Sequence, residues 1–323
     1  GLPTQIPAAI LGAGVGTIVY LLFTKFKSPV FLGSSFAFLS SLGVAIAFGY
    51  LCIIVGAVFA GLVYVVIALV VRFAGTKWVS KLMPPVVIGP TVALIGLSLA
   101  GSAMGDIVKA SGASVNGGYN LVALLCGLIT FFTIVLCSTQ KKRKMMQLIP
   151  FIIGILAGYV AAAIFTVIGI KTNNTALQVI DFTVFHDLKL FSVPDFTFLE
   201  AAKGAKEIDA QYLATVAVAY VPVAFVVFAE HIADHKNLSS IIEQDLLEEP
   251  GLHRTLLGDG VGSMFGAIFG GCPNTTYGES VGCVAITGNA SVITILTTAI
   301  MCMIISFFGP FVTFLASIPN CVM

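Results

Sequence analysis

The sequence contains few charged side chains. Only 10% of its 323 residues are Asp, Glu, Lys or Arg, whereas a soluble domain has about 25%. Apolar residues make up 58% of the chain, which excludes an ordinary soluble domain and predicts an all-α polytopic protein embedded in the lipid bilayer. The net charge of +1 leaves no basic surface for nucleic acid. We therefore expect a multi-pass protein of the plasma (inner) membrane.

Paired cysteines are also missing. The seven cysteines are scattered, mostly in apolar runs, and no two of them form a CxxC pair. An odd count at such spacing excludes a disulfide framework and predicts small buried side chains, with no metal site.

The chain opens "GLPTQIP", without an initiator Met or a signal peptide, and stops at "SIPNCVM" directly after an apolar run. We expect a fragment that lacks membrane segments at one or both ends.

Long apolar runs fill most of the remaining sequence. Seven segments are long enough for spanning helices: residues 7–23, 45–71, 85–104, 121–137, 148–170, 212–230 and 291–315. Two further apolar regions, 30–48 and 258–288, are interrupted by Gly, Ser, Thr, Asn and Pro. Three linkers rich in Lys and Arg are predicted to be cytoplasmic, which places residues 105–119 and 171–210 outside.

A short polar stretch, residues 237–250, follows the run that ends at Glu230. It is predicted to form an amphipathic helix on the cytoplasmic face that ends at Pro250-Gly251. Its apolar side chains recur at helical spacing: Leu238, Ile241, Ile242 and Leu246. We interpret this helix as a structural linker.

The interrupted segments share a design. "PVFLGSSFAFLSS" (29–41) and "GGCPNTTYGESVG" (270–282) each contain glycine, then hydroxyl or amide residues, then an aromatic residue. Because backbone groups at bilayer depth must be hydrogen-bonded, this composition predicts short crossed strands that line a protected cavity. One interrupted segment early and one late indicate a midplane substrate site in an inverted-repeat transporter. The alternative is ordinary helix packing, with Gly278 and Gly282 forming a GxxxG step.

The stretch "FAEHIADHKN" places ionisable residues at the end of an apolar run. Glu230 and Asp234 are four residues apart and share one helical face, and His231 and His235 share a neighbouring face. The histidine spacing suits zinc, but Ile232 stands where a zinc protease needs Glu. We expect Glu230 to face the cavity, Asp234 to lie one turn closer to the cytoplasm, and both histidines to be interfacial. A structural acid, bonded to backbone, is the alternative for Glu230 and Asp234.

Several motifs resemble one transporter family. "GCPNTTYGESVGCVAITG" is similar to the signature of the nucleobase–ascorbate transporter (nucleobase/cation symporter-2) family. Glu279, Gly282, Thr287 and Gly288 match that signature, and Ser280 stands where the family has Asn. "AEH", "LGSSFAF", "DLLEEPGLHRTLLGDG" and "PNTTYGE" are similar to the bacterial uracil permeases of the family. The resemblance runs over nearly the whole chain.

The resemblance implies a fold of fourteen segments in two inverted halves, of which this chain is a truncated form. It implies a core domain made of residues 1–73 and 211–317, a linker at 74–84, and a partial gate domain at 85–172. Residues 173–210 would be an external loop and 318–323 a truncated end. The core domain would contain the interrupted segments 29–41 and 270–288, the site helix 211–235 and the amphipathic helix 237–250.

The resemblance also implies a nucleobase site between the interrupted segments and the Glu230 helix. Glu230 and Glu279 would accept hydrogen bonds from ring N–H groups, and the backbone amides of Phe36 and Gly278 would meet ring carbonyls. A uracil edge alternates carbonyl and N–H groups, so it needs acceptors beside donors such as half-helix N-termini. The same match adds two binding residues, Ser35 and Tyr277, and three supporting residues, Asn274, Ser280 and Thr287.

The resemblance implies proton-coupled import of a nucleobase by alternating access, with uracil as the favoured substrate. The protein would not be an enzyme, and it could form a homodimer. The proton would be the coupling ion, shared between Glu230 and Asp234, and no other cofactor is expected. Asp234 departs from the His of uracil permeases, and some purine members have an acid there. A purine (xanthine or urate) symporter therefore stays open, whereas Glu279 favours a pyrimidine. A passive channel needs rings of charge or a continuous polar pore, which the sequence does not offer.

Overall fold

The computed structural model describes residues 6–108, 119–140, 143–186, 188–203 and 210–323. Residues 109–118 of the predicted external segment and residues 141–142 of a basic linker lie outside these ranges. The described helices are α1 (Ile6–Phe23), α2 (Leu39–Phe48), α3 (Tyr50–Ala74), α4 (Lys77–Leu82), α5 (Pro85–Val108), α6 (Leu121–Thr139), α7 (Lys144–Leu148), α8 (Pro150–Lys171), α9 (Thr197–Lys203), α10 (Ala210–Ile242), α11 (Leu252–Gly270), α12 (Gly278–Thr287), α13 (Val292–Ile305) and α14 (Gly309–Ser317). The strands are β1 (Leu32–Ser34) and β2 (Asn274–Thr276).

Six of the described helices are long and apolar enough to cross a membrane: α1, α3, α5, α6, α8 and α10. The prediction that residues 291–315 form one spanning helix is wrong. That segment divides into α13 and α14 because Pro310 has no backbone N–H, so it fits the first turn of α14 but not the interior of one continuous helix. The predicted span 45–71 is likewise divided, by Gly49 with φ 110° between α2 and α3.

The predicted separate helix over residues 237–250 is also wrong. Residues as far as Ile242 continue α10, which is 33 residues long. No glycine or proline interrupts residues 223–242, and the chain turns only at Glu243, whose φ is 55°. The Ser239 hydroxyl holds this turn, since it donates to the His235 carbonyl at 2.6 Å and accepts from the Leu246 N–H at 3.0 Å.

The described residues group into two compact units. Unit 1 contains the residues up to Ile95 together with Phe191–Phe308, and unit 2 contains Gly96–Leu190 and Gly309–Met323. The assignment of core and gate roles stays a prediction.

In unit 2, α6 and α8 pack closely where Gly158 leaves room for the Thr130 side chain. The Thr166 hydroxyl accepts from the Val179 and Ile180 N–H groups and so holds the chain that follows α8.

Unit 1 is built on close packing of α1 against α11. A Cβ at Gly12 would lie 2.5 Å from the Gly266 carbonyl oxygen, and one at Gly262 would lie 2.8 Å from the Gly16 carbonyl oxygen. Small residues at such spacing let two membrane helices approach each other closely. This packing brings β1, which follows α1, beside β2, which follows α11.

The two strands pair antiparallel, with Gly33 opposite Thr275. The Ser35 N–H donates to the Pro273 carbonyl at 2.9 Å, and the Tyr277 N–H donates to the Phe31 carbonyl at 3.1 Å, so pairing extends beyond both strands. The prediction of short strands in the interrupted segments is confirmed. The GxxxG alternative is wrong, because a Cβ at Gly282 would meet no described atom within 4 Å.

Candidate functional site

Each strand of unit 1 runs directly into the start of a helix. After β1, a 3-10 turn (Phe36–Phe38) leads into α2, and after β2 the chain enters α12 at Gly278. The N–H groups in the first turn of a helix have no partner within that helix, and the helix dipole is positive there. The strand pair therefore presents two sets of backbone donors from two distant parts of the sequence.

Helix α10 brings carboxylates to these helix starts. Asp234 Oδ2 accepts a hydrogen bond from the Thr276 hydroxyl at 2.7 Å. A Cβ at Gly278 would lie 3.3 Å from Asp234 Oδ1, so the acid lies beside the first residue of α12. Glu230 is half-buried one turn earlier and lies within electrostatic range of Asp234, Asp259 and Glu279. The structure thus brings the predicted proton-coupling residues to the predicted binding segment.

The predicted binding residues of the strand ends differ in exposure. Phe36 and Glu279 are exposed, whereas Ser35 is 4% exposed. The Ser35 hydroxyl has no hydrogen-bond partner among the residues that the structure describes. The Tyr277 hydroxyl donates to the Ser34 carbonyl at 3.1 Å, and the Tyr277 ring covers Gly33, where a Cβ would lie 2.2 Å from Tyr277 Cζ. Only glycine fits at position 33 beneath this ring.

The predicted supporting residues have distinct places. Asn274 is buried, and its Nδ2 donates to the Gly12 carbonyl at 3.0 Å, so β2 is fastened to α1. Ser280 Oγ donates to the Tyr277 carbonyl at 2.7 Å within the first turn of α12. Thr287 is exposed at the other end of α12, where its hydroxyl donates to the Cys283 carbonyl and accepts from the Asn289 N–H. The structure therefore does not bring Thr287 to the site.

Both histidines of the α10 cluster are buried, so their predicted interfacial position is wrong. His231 Nδ1 lies 2.7 Å from Asp259 Oδ2, and His231 Nε2 lies 3.1 Å from the Thr255 hydroxyl. These partners on α11 offset the cost of burying the ring. Sequence reasoning missed Asp259; the only signal was a lone acid in the glycine-rich apolar stretch "LLGDGVG".

His235 links α10 to α1. Its Nδ1 lies 2.8 Å from the His231 carbonyl, which can only accept, so Nδ1 carries a hydrogen. In the neutral ring Nε2 is then an acceptor, and the Tyr20 hydroxyl donates to it at 2.7 Å. Tyr20 in turn accepts from the Ser28 hydroxyl at 2.8 Å. Both histidine rings are thus engaged in hydrogen bonds, and the described residues contain no group of three or more metal-ligating side chains.

Comparisons with known proteins agree with this architecture. The model of a Permease family matches residues 2–323. The chain is 37% identical over 316 residues to the uracil permeases of Bacillus caldolyticus and of Bacillus subtilis (strain 168), covering 98% of this chain and 68% of each relative. It is 31% identical over 320 residues to the uracil permease of Escherichia coli (strain K12), covering 98% of this chain and 68% of that relative.

Among solved structures, the fold is similar to the transmembrane domain of a cyanobacterium bicarbonate transporter, BicA. The TM-score is 0.64 at 16% sequence identity, and the match covers 98% of this chain and 81% of that domain. At this identity the likeness concerns the fold alone. With six helices of membrane length among the described residues and a Permease family match, the chain is a multi-pass membrane protein, which in bacteria lies in the plasma membrane.

Proposed function

Because this chain belongs to the Permease family, we propose that it carries uracil across the membrane by proton-coupled symport. One observation carries the proposal: the paired strands present two helix starts to the carboxylates of α10. Relatives that are 37% identical are named uracil permease, which supports the pyrimidine assignment. In this proposal the chain moves its substrate chemically unchanged and catalyses no reaction.

The donors and acceptors of the site suit a uracil edge. The Glu279 carboxylate and the carbonyl oxygen of the Glu230 carboxyl group accept hydrogen bonds from ring N–H groups, and the backbone N–H groups of Phe36 and Gly278 donate to ring carbonyls. A hydrogen bond to a charged group contributes about 1.5–3 kcal/mol, so the Glu279 carboxylate accounts for roughly a tenfold to hundredfold gain in affinity. The Ser35 hydroxyl, which has no partner in the described part of the chain, supplies a further polar group.

The crowding of acids around Glu230 supports proton coupling. Asp234, Asp259 and Glu279 all lie within electrostatic range of Glu230. Neighbouring carboxylates in an apolar setting repel one another when ionised, which favours a shared proton. Protonated Glu230 donates to a substrate carbonyl, and loss of that proton through Asp234 weakens binding and promotes release. Alternating access between a core and a gate domain, and a homodimer, stay parts of this proposal.

A purine symporter is the second candidate. It rests on Asp234, which stands where the family's uracil permeases have His and some purine members have an acid. The two fused rings of a purine need more room beside α12 than the single ring of uracil, at the point where the Asp234 carboxylate lies next to Gly278.

Competition binding separates the two candidates. Labelled uracil is bound to the purified full chain and displaced with unlabelled uracil or xanthine; we expect uracil to compete better. Glu279→Gln should weaken uracil binding about 10-fold or more, because the ring N–H loses a charged acceptor. Glu248→Gln, which neutralises an exposed acid on the loop after α10, is the matched control. Stronger competition by xanthine would favour the purine symporter, and unchanged affinity of folded Glu279→Gln would remove that residue from the site.

A further inference from the structure

A small cavity lies within unit 1, next to Asn274 of β2. Its volume is about 10 Å³. Tyr64, Asp259, Ser263 and Asn274 form the polar part of its lining, and the remaining lining residues are apolar or glycine. A volume of about 10–15 Å³ on this measure holds one water molecule. The cavity is thus of a size for a single small polar guest.

Two polar atoms of the lining residues have no hydrogen-bond partner among the described residues. They are Asp259 Oδ1 and the Tyr64 hydroxyl. Asp259 is 1% exposed and Tyr64 is 4% exposed, so bulk water does not reach them. Asp259 Oδ2, by contrast, is occupied by His231. Buried polar groups without a partner destabilise a fold, and ordered water commonly satisfies them.

The other two polar residues complete a matched set. Asn274 Nδ2 donates to the Gly12 carbonyl, so Asn274 Oδ1 is left as an acceptor. Ser263 also lines the cavity and offers a second hydroxyl in addition to that of Tyr64. We propose that the cavity binds one water molecule, which donates to Asp259 Oδ1 and Asn274 Oδ1 and accepts from the two hydroxyls. Two acceptors and two donors are the complement of one water.

A small cavity beside a carboxylate also suits a monovalent cation, but the polar groups of this cavity favour water. A cation takes lone pairs from the hydroxyl oxygens and leaves both hydroxyl hydrogens to find acceptors elsewhere. The Tyr64 hydroxyl has none in the described part of the chain. Water satisfies every member of the set. It joins α3, α11 and β2 at one point and connects the His231–Asp259 pair to the strand that carries Thr276.

A pair of tyrosines tests the proposal. Tyr64 and Tyr220 are both buried in the same apolar cluster, and neither hydroxyl has a partner among the described residues. Only Tyr64 lines the cavity. Tyr64→Phe should lower the thermal unfolding midpoint of the full chain in detergent by about 2 °C, because it removes a hydrogen bond to the water. Tyr220→Phe should leave the midpoint unchanged or raise it, because no bond is lost.

Both variants are measured without substrate in sodium, potassium and choline chloride. A lower unfolding midpoint for Tyr64→Phe than for Tyr220→Phe, by the same amount in all three salts, supports the bound water. Equal effects of the two substitutions, or a higher midpoint for Tyr64→Phe, would overturn the proposal because the cavity would then bind nothing. A difference between the two midpoints in only one of the two alkali salts would overturn the proposal in favour of a bound cation. Since no uracil is present, the result is independent of the proposed function.

Discussion

Replacing Thr276 by valine removes one hydroxyl whose hydrogen bond holds α10 to the strand pair. Thr276 is fully buried, and its hydroxyl donates to Asp234 Oδ2 at 2.7 Å. A hydrogen bond to a charged group contributes about 1.5–3 kcal/mol, and one between neutral groups about 0.5–1.5 kcal/mol. With Asp234 ionised, Thr276→Val should therefore lower the free energy of unfolding by about 1.5–3 kcal/mol. Denaturant unfolding in detergent measures the loss.

The same substitution in an Asp234→Asn background tests the charge. Asn keeps an acceptor for the Thr276 hydroxyl but not the charge, so the loss should fall to about 0.5–1.5 kcal/mol. Thr287→Val is the matched control, because the Thr287 hydroxyl is exposed and its two partners, the Cys283 carbonyl and the Asn289 N–H, are backbone groups at the end of α12. If Thr276→Val costs no more than Thr287→Val, the bond to Asp234 contributes nothing. Equal losses in both backgrounds would show that Asp234 is already neutral.

Two further predictions concern transport and the strand pair. Asp234→Asn should leave exchange of labelled uracil intact but abolish its accumulation driven by a pH gradient; if the variant still concentrates uracil, the proton relay lies elsewhere. Gly33→Ala should displace the Tyr277 ring, since the new Cβ would lie 2.2 Å from Tyr277 Cζ, and so should weaken uracil binding in an equilibrium assay. Gly43→Ala, whose Cβ would meet no described atom within 4 Å, should bind normally, and equal affinities of the two variants would contradict the role given to Gly33.

Much of the site is predictable from local sequence. The polar and glycine-rich composition around Gly33 and Asn274 predicts non-helical backbone, because such runs are unfavourable in a membrane-spanning helix. The spacing of Glu230 and Asp234 predicts a shared face, and α10 places both toward α12. These features depend on neighbours within a few residues, so the local sequence is enough to indicate them.

Features that depend on the register between helices are not predictable in this way. Asp259 lies 28 residues from His231, and only the packing of α11 beside α10 brings them together. The burial of both histidines depends on partners from other helices, Asp259 on α11 for His231 and Tyr20 on α1 for His235. The end of α10 was misplaced for a similar reason: the turn at Glu243 depends on the Ser239 hydroxyl, which bonds Leu246 across the turn. By contrast, the division between α13 and α14 is visible in the sequence as Gly309-Pro310.

The strand pair also sets an order of events during synthesis. Ser34 and Tyr277, joined by a hydrogen bond at the pair, are 243 residues apart. A ribosome adding about 5–20 residues per second needs roughly 12–50 s to cover that distance. Throughout this interval the backbone N–H and C=O groups of β1 lack their partner strand, and lipid provides no substitute for it. The first half of the site must therefore be hydrated, or bound by another protein, until its second half has been synthesised.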